Sequence, residues 1–270
     1  MKSIIRFLVY SNIFVAFCVL ALALSSEVLL GTVNYKISQF VFFTTLFTYN
    51  FQRFIRIKKG ENHLVKSWLT KNKIVIYILM ICSGLMSLYF FLQFQITTQL
   101  MISFIGGLSL LYPFGLRKIP FSKIFIISIV WAISTLLLLA LENNIVLSND
   151  IVLHLVSRFL FVFAITIPFD IRDFSYDIEK IKTIPIFFGV KKAKIIAVFS
   201  LIICSVFLIF QYAKNALNFE NLLALILLYF VSSFLIVKSD RNKGEFYFSF
   251  WVESLSILCY LFLVISALIF

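Results

Sequence analysis

Between Asp170 and Glu179 the chain places four of its twelve acids, in the order Asp170-Ile-Arg-Asp173-Phe-Ser-Tyr-Asp177-Ile-Glu179. On a helix, the spacing i, i+3, i+7 puts Asp170, Asp173 and Asp177 on one face. Like charges held so close repel unless a cation stands between them. All-oxygen donors suit a hard divalent ion such as Mg²⁺, which commonly links one or two carboxylates to a substrate's phosphates. Asp170, Asp173 and Asp177 are therefore the candidate metal ligands and catalytic groups. The simpler reading of the same residues is an acidic face paired with Arg172 and Lys180.

The elements that must position these acids are membrane spans. The chain is 62% hydrophobic and 13% charged, against about 45–50% and about 25% in soluble domains. Thirty-four phenylalanines with only four prolines and eight glycines fit lipid-facing helices. A span needs about 20 apolar residues, and nine such runs stand out, roughly 7–30, 36–57, 74–94, 97–115, 122–141, 150–169, 193–213, 220–237 and 247–268. The expectation is an all-α integral membrane protein of nine transmembrane helices forming a single domain, 1–270. The first run follows Lys2 and Arg6 but is too long for a signal peptide, so it counts as a span. Gly106-Gly107 and the following Pro113-Phe-Gly115 suit close helix packing and a helix stop.

Basic residues orient the bundle. Lys2 and Arg6 precede the first span, and the other clusters follow the second, fourth, sixth and eighth. Only Lys36 and Lys214 fall on the opposite side, and Arg158 falls within a span. This bias predicts a cytoplasmic N-terminus and an outside C-terminus, in the inner (cytoplasmic) membrane of the cell. The formal charge of +12 is then topology plus attraction to anionic lipid, and nucleic acid is not implied. The two long connections, about 58–73 and 170–192, share the cytoplasmic side, and the aspartates open the second. Four cysteines without a CxxC pair and only two histidines argue against zinc or redox chemistry.

Arg158 stands near the middle of the sixth expected span, where a charge costs roughly 2.5–3.5 kcal/mol on insertion scales. His154 lies one turn earlier, and Glu253 in the ninth span is a candidate counter-charge. Arg158 reads either as part of a structural ion pair or as a substrate-binding group on the floor of a cavity.

From Asp170 onward the sequence resembles the second aspartate-rich motif of the UbiA-type intramembrane prenyltransferase superfamily. The D-x-x-D-x-x-x-D core, then Lys182-Thr183-Ile-Pro185, then Gly189 ahead of Ala193 match in order. Leu111-Tyr112-Pro113-Phe-Gly-Leu-Arg117-Lys118 is similar to the family's Tyr-then-basic segment. The resemblance implies a lateral-opening helical bundle with its cavity near the cytoplasmic face. There Mg²⁺, held by two aspartate-rich motifs, binds a polyprenyl diphosphate. Ionisation yields an allylic cation that an aromatic or other lipophilic acceptor attacks, as in quinone biosynthesis. Arg117, Lys180 and Lys182 would add phosphate contacts.

The family's first motif, N-D-x-x-D-x-x-x-D, should close the second span. That place reads Asn50-Phe51-Gln52-Arg53-Phe54-Ile55-Arg56-Ile57-Lys58. Asn50 matches as a candidate substrate-binding residue, but Phe51, Phe54 and Lys58 stand where aspartates would. Three readings stay open. Arg53 and Arg56 replace the second metal as phosphate clamps, the substrate is not a diphosphate, or catalysis is lost and the chain binds an isoprenoid or scaffolds a membrane complex. The first is preferred.

Overall fold

A computed structural model describes residues 2–32, 34–58, 66–177 and 181–269. In chain order its helices are α1 (Lys2–Tyr10), α2 (Ile13–Leu30), α3 (Lys36–Lys58), α4 (Lys66–Lys71), α5 (Lys73–Phe91) and α6 (Ile96–Leu111). Two short 3₁₀ turns, Tyr112–Phe114 and Leu116–Lys118, lead into α7 (Ser122–Ala132). A π-helical turn, Ile133–Leu137, joins α7 to α8 (Leu138–Glu142). Then come α9 (Asn149–Arg172), α10 (Phe174–Asp177), α11 (Ile184–Phe188), α12 (Val190–Ala213) and α13 (Phe219–Lys238). A second π-helical segment, Tyr247–Val252, precedes α14 (Leu255–Ile269).

Among the described residues, eight helices are long and apolar enough to cross a membrane. They match the expected spans except at α3. That helix has 23 residues but is too polar to be counted with the others. Its polar side is turned inward, and the cavity described below explains it. The run expected as one span over 7–30 is instead two helices, because the chain breaks at Ser11-Asn12. Asn12 takes a left-handed φ of 62°, which asparagine tolerates better than most residues. Asn50 supports the break: its Nδ2 donates to the Ser11 and Leu46 carbonyls, and its Oδ1 accepts from Asn12 Nδ2, each at 2.9 Å.

The helices form a ring. α3 packs on α2 and α5, α2 on α14, α14 on α13, α13 on α12, α12 on α9 and α9 on α7. α6 closes the ring by touching α7, α8 and α3. Leu22, Leu138, Ile167, Leu201 and Leu228 fill the seams, whereas Phe199, Phe230, Phe234 and Leu268 point outward, as lipid-facing residues should. Several buried hydroxyls are satisfied within their own helices. Ser128 donates to Ile124 O, Thr166 to Val162 O and Ser232 to Leu228 O, the economical solution where water is absent.

Glycine roles differ from the sequence expectation. Gly106 and Gly107 have nothing within 4 Å of an added Cβ, so they mediate no close helix contact. Gly84 is the tight one, with the Phe47 ring 3.3 Å from such a Cβ where α5 meets α3. Gly189, between α11 and α12, sits at φ +82°, a backbone position that other residues rarely adopt. Of the cysteines, Cys18, Cys204 and Cys259 are buried fillers and Cys82 is exposed.

Candidate functional site

α9 and the short α10 carry the aspartates to one end of the ring, where α3 also finishes and α7 begins. Asp170 lies within α9, Asp173 caps it and Asp177 ends α10, so the three do not share one helix face as the spacing predicts. The helices leave a cavity there of about 360 Å³, within the range typical of small-molecule sites. Its walls are apolar in one direction, with Val15, Val19, Phe40, Ile102, Ile105 and Ile165. At the other end they are charged, with Arg53, Arg56, Arg117, Lys123, Arg172, Asp173, Asp177, Glu245 and Glu253.

The three aspartates converge on a lysine from the basic cluster that follows the fourth expected span. Lys123 is the second residue of α7. Its Nζ lies 2.8 Å from Asp170 Oδ1, 3.3 Å from Asp173 Oδ2 and 3.4 Å from Asp177 Oδ2. Asp177 also accepts from Arg117 at 3.3 Å. Arg172 clamps Asp173 through two N–H groups, at 2.8 and 3.2 Å, and donates to Ser249 Oγ at 3.2 Å. Asp173 caps α9 beyond its spanning length. Burial pushes its pKa up, but Arg172 and Lys123 outweigh burial and hold the carboxyl below the ordinary aspartate range.

Asp170 plays a different part from its two neighbours. It is fully buried and does not line the cavity. Beyond its ion pair with Lys123, its Oδ2 accepts no hydrogen bond among the described residues. The candidate set therefore splits into two cavity-facing acids and one acid behind them.

The cavity face of α3 carries Thr48, Tyr49, Gln52, Arg53 and Arg56. Gln52 Nε2 donates to Ser109 O at 2.7 Å. Arg53 donates to the Tyr10 carbonyl and to Asn12 Oδ1, bridging the chain break to the cavity. Trp131 Nε1 donates to Tyr49 OH at 3.2 Å, so an aromatic pair forms part of the wall. Opposite, Tyr10 OH donates to Glu245 Oε2 at 3.0 Å. The second π-helical segment ends beside Glu253. Such segments often re-aim side chains at functional sites.

The comparisons with known proteins agree with this architecture. Residues 58–255, well over half the chain, match the model of the UbiA prenyltransferase family. The chain belongs to that family. No curated relative matches it. Among solved structures, a UbiA homolog from Aeropyrum pernix K1 superposes with a TM-score of 0.70 at 11% identity, covering 94% of this chain and 97% of that one. A UbiA homolog from Archaeoglobus fulgidus bound to GPP and Mg²⁺ gives 0.69 at 13% identity, covering 97% and 99%. A digeranylgeranylglyceryl phosphate synthase gives 0.63 at 15% identity, with both chains covered completely.

The residues at the UbiA first-motif positions point away from the cavity. Phe51, Phe54 and Lys58 do not line the cavity. Phe51 stacks on Phe47, Phe54 meets Tyr77 edge-on, and the Lys58 ammonium lies 4.9 Å over the Phe54 ring. Asn50 is buried and braces the Ser11-Asn12 break rather than facing a substrate. Counting D-x-x-D-x-x-x-D along the face that does line the cavity lands on Tyr49, Gln52 and Arg56, two residues earlier than the register that begins from Asn50. In either register α3 brings no carboxylate to the site.

Of the remaining candidates, Arg53, Arg56 and Arg117 line the cavity with Asp173 and Asp177. Lys182 is exposed and outside the lining, and Lys180 lies outside the described residues. Arg158 is also elsewhere, in the opposite half of the bundle beside His154 and Tyr229. It donates to Leu22 O, Ser25 Oγ and Ser26 Oγ, each at 2.9 Å, so its partners are neutral oxygens and not Glu253. The cavity is also lined by residues that sequence reasoning passed over as candidates: Tyr49, Gln52, Lys123, Trp131 and Glu245. For Lys123 one signal was available, because it opens an apolar run only a few residues after Arg117.

Proposed function

We propose that this chain is a membrane prenyltransferase that takes its prenyl group from a diphosphate donor and passes it to a lipophilic acceptor. The observation that carries the reading is the two-ended cavity. One end groups Arg53, Arg56, Arg117 and Lys123 with Asp173 and Asp177, and the other is a sleeve of Val, Ile and Phe. A diphosphate needs the first environment and an isoprenoid tail the second.

Mg²⁺ fits the residues present. Among the described residues no three acids, histidines or cysteines enclose an ion by themselves. However, Mg²⁺ characteristically takes one or two carboxylates and completes its shell with substrate phosphates and water. Asp173 and Asp177 face the cavity with hard oxygens and would supply those carboxylates, with Asp170 reinforcing the negative field from behind. Bound there, the ion would neutralise charge growing on the leaving diphosphate.

The chain's own residues perform the rest. Arg117, Arg56 and Arg53 hold diphosphate oxygens and orient the leaving group along the cavity axis. The C–O bond to the diphosphate breaks with its electron pair leaving on oxygen. The faces of Tyr49 and Trp131 stabilise the allylic cation and the apolar sleeve excludes water. The acceptor then forms the new bond and loses a proton, which Glu253, one of the carboxylates lining the same cavity, would take. The acceptor, the prenyl length and the membrane are further parts of this reading; the basic-residue bias supports the cytoplasmic membrane with the charged end inward.

A second reading, isoprenoid binding without transfer, draws on one observation: α3 presents Gln52, Arg53 and Arg56 where carboxylates would complete a metal pair. One assay separates the two. Purified protein in lipid nanodiscs is incubated with GPP or longer prenyl diphosphates, Mg²⁺ and a panel of aromatic and glyceryl-lipid acceptors, and released diphosphate is measured. Release above the level of Asp173→Asn/Asp177→Asn protein supports transfer. Ligand binding with no release under any acceptor establishes the second reading.

A further inference from the structure

We propose that Lys123 is a built-in cation of the diphosphate site, standing where the carboxylates would otherwise require a second metal ion. This inference rests on the prenyl diphosphate reading above. Its basis is geometric. Among the described residues Lys123 alone contacts all three aspartates, at 2.8, 3.3 and 3.4 Å, and it also lines the cavity. Asp173 and Asp177 each have a second cationic partner, Arg172 and Arg117. The acids are therefore neutralised by side chains before any ligand arrives.

The facing wall makes the same point from the other side. α3 turns Arg53 and Arg56 into the cavity, so it offers positive charge to a phosphate and no ligand to a metal. A diphosphate entering between these walls meets cations on both. Without Lys123 it would approach three closely spaced carboxylates, and that repulsion is strong in a site walled by apolar residues. A lysine ammonium carries three donors on a flexible stem. Lys123 can keep one N–H on Asp170 while another turns toward a phosphate oxygen. Asp170, buried and outside the lining, acts as the positioning residue that keeps the ammonium at the cavity edge.

Two consequences follow for binding. Affinity for a prenyl diphosphate depends on about one Mg²⁺ rather than two, and part of it survives without any. The test uses the full chain in nanodiscs and geranyl S-thiolodiphosphate, an analogue slow to ionise. Isothermal titration is run across a Mg²⁺ series and in EDTA. Expected are a slope of log K against log [Mg²⁺] of about one and weakened but measurable binding in EDTA. Lys123→Met should lower the EDTA binding by about tenfold or more, as loss of a charge-assisted contact does. Lys123→Arg, which keeps the charge, should retain most of it.

A wild-type slope of about two, or complete loss of wild-type binding in EDTA, overturns the role of Lys123 while leaving the Mg²⁺-dependent prenyl diphosphate reading intact. So does EDTA binding by Lys123→Met equal to wild type. Absence of binding in both Mg²⁺ and EDTA overturns the underlying reading instead. If Lys123→Met does not fold, the wild-type slope and the EDTA titration decide the matter on their own.

Discussion

Lys123 Nζ and Asp170 Oδ1 meet at 2.8 Å although one residue opens α7 and the other closes α9. The Asp170 side chain is 1% exposed and that of Lys123 15%. Their pairing ties the start of one helix to the end of another and so sets where Asp173 and Asp177 stand. The same contact joins two helices and holds Lys123 at the cavity wall.

Asp170→Ala removes the shortest of three contacts to Lys123 but leaves Asp173 and Asp177 on the ammonium. It is expected to cost about 1–3 kcal/mol, and Asp170→Asn less because the amide oxygen can still accept from Lys123. Thermal melting in a fixed detergent reads this directly. Equal melting temperatures for Asp170→Ala and wild type would show that the pair contributes nothing.

Asp173 and Asp177 face the cavity, so their substitution should act on chemistry more than on stability. Asp173→Asn and Asp177→Asn are each expected to reduce turnover by about 10²–10³. Asp170→Asn should lose less, through misplacement of Lys123. Steady-state diphosphate release on folded protein measures all three. Unchanged turnover in Asp177→Asn would remove that residue from the site.

Arg158 gives the opposite expectation. Its partners Ser25 and Ser26 already donate to Leu22 O within their own helix, so deleting the guanidinium strands few groups. Replacing a buried charge by an apolar side chain of similar length is often neutral or stabilising. Arg158→Met is therefore expected to leave prenyl diphosphate affinity unchanged and to shift stability by no more than about 1–2 kcal/mol. A tenfold loss of affinity measured by titration would instead tie Arg158 to the cavity.

Asn50 is expected to behave as a structural residue. Asn50→Ala removes the donors to Ser11 O and Leu46 O and the acceptor for Asn12, at a cost of about 1–3 kcal/mol. Because Arg53 leans on the same break through Tyr10 and Asn12, a modest rise in KM should accompany it. A melting temperature identical to wild type would contradict the brace.

Asp173 also makes a pH prediction. Its folded pKa is depressed relative to about 3.9 for a free aspartate. Its contribution to stability is therefore fully present above about pH 4 and is lost as pH falls toward the lower folded value. Melting temperatures followed from pH 6 to pH 3 should fall less steeply in Asp173→Asn than in wild type. Parallel curves would mean that the Arg172 and Lys123 contacts do not favour the charged carboxylate.

Composition and hydropathy were enough to declare a membrane protein and to locate most of its helices, because lipid leaves a backbone few alternatives to helix. They showed neither the break at Ser11-Asn12 nor the end of α9 at Arg172, which puts Asp177 on α10 instead of on one helix face with Asp170. The acidic motif and its Thr183-Ile-Pro185 continuation were enough for the family. Packing decided what those signals leave open. Which side of α3 faces inward depends on a rotation of the helix, and two residues of register separate Asn50 at the Ser11-Asn12 break from Gln52 in the cavity wall. Which cation meets the aspartates depends on how α7 leans on α9, and nothing in the spacing between Lys123 and Asp170 encodes that contact. Arg158 likewise found hydroxyls on α2, not the acid its charge alone suggested. Local pattern specified the elements and the chemistry available on each; only the tertiary arrangement of helices, set by side-chain packing between distant segments, determined which groups share a site.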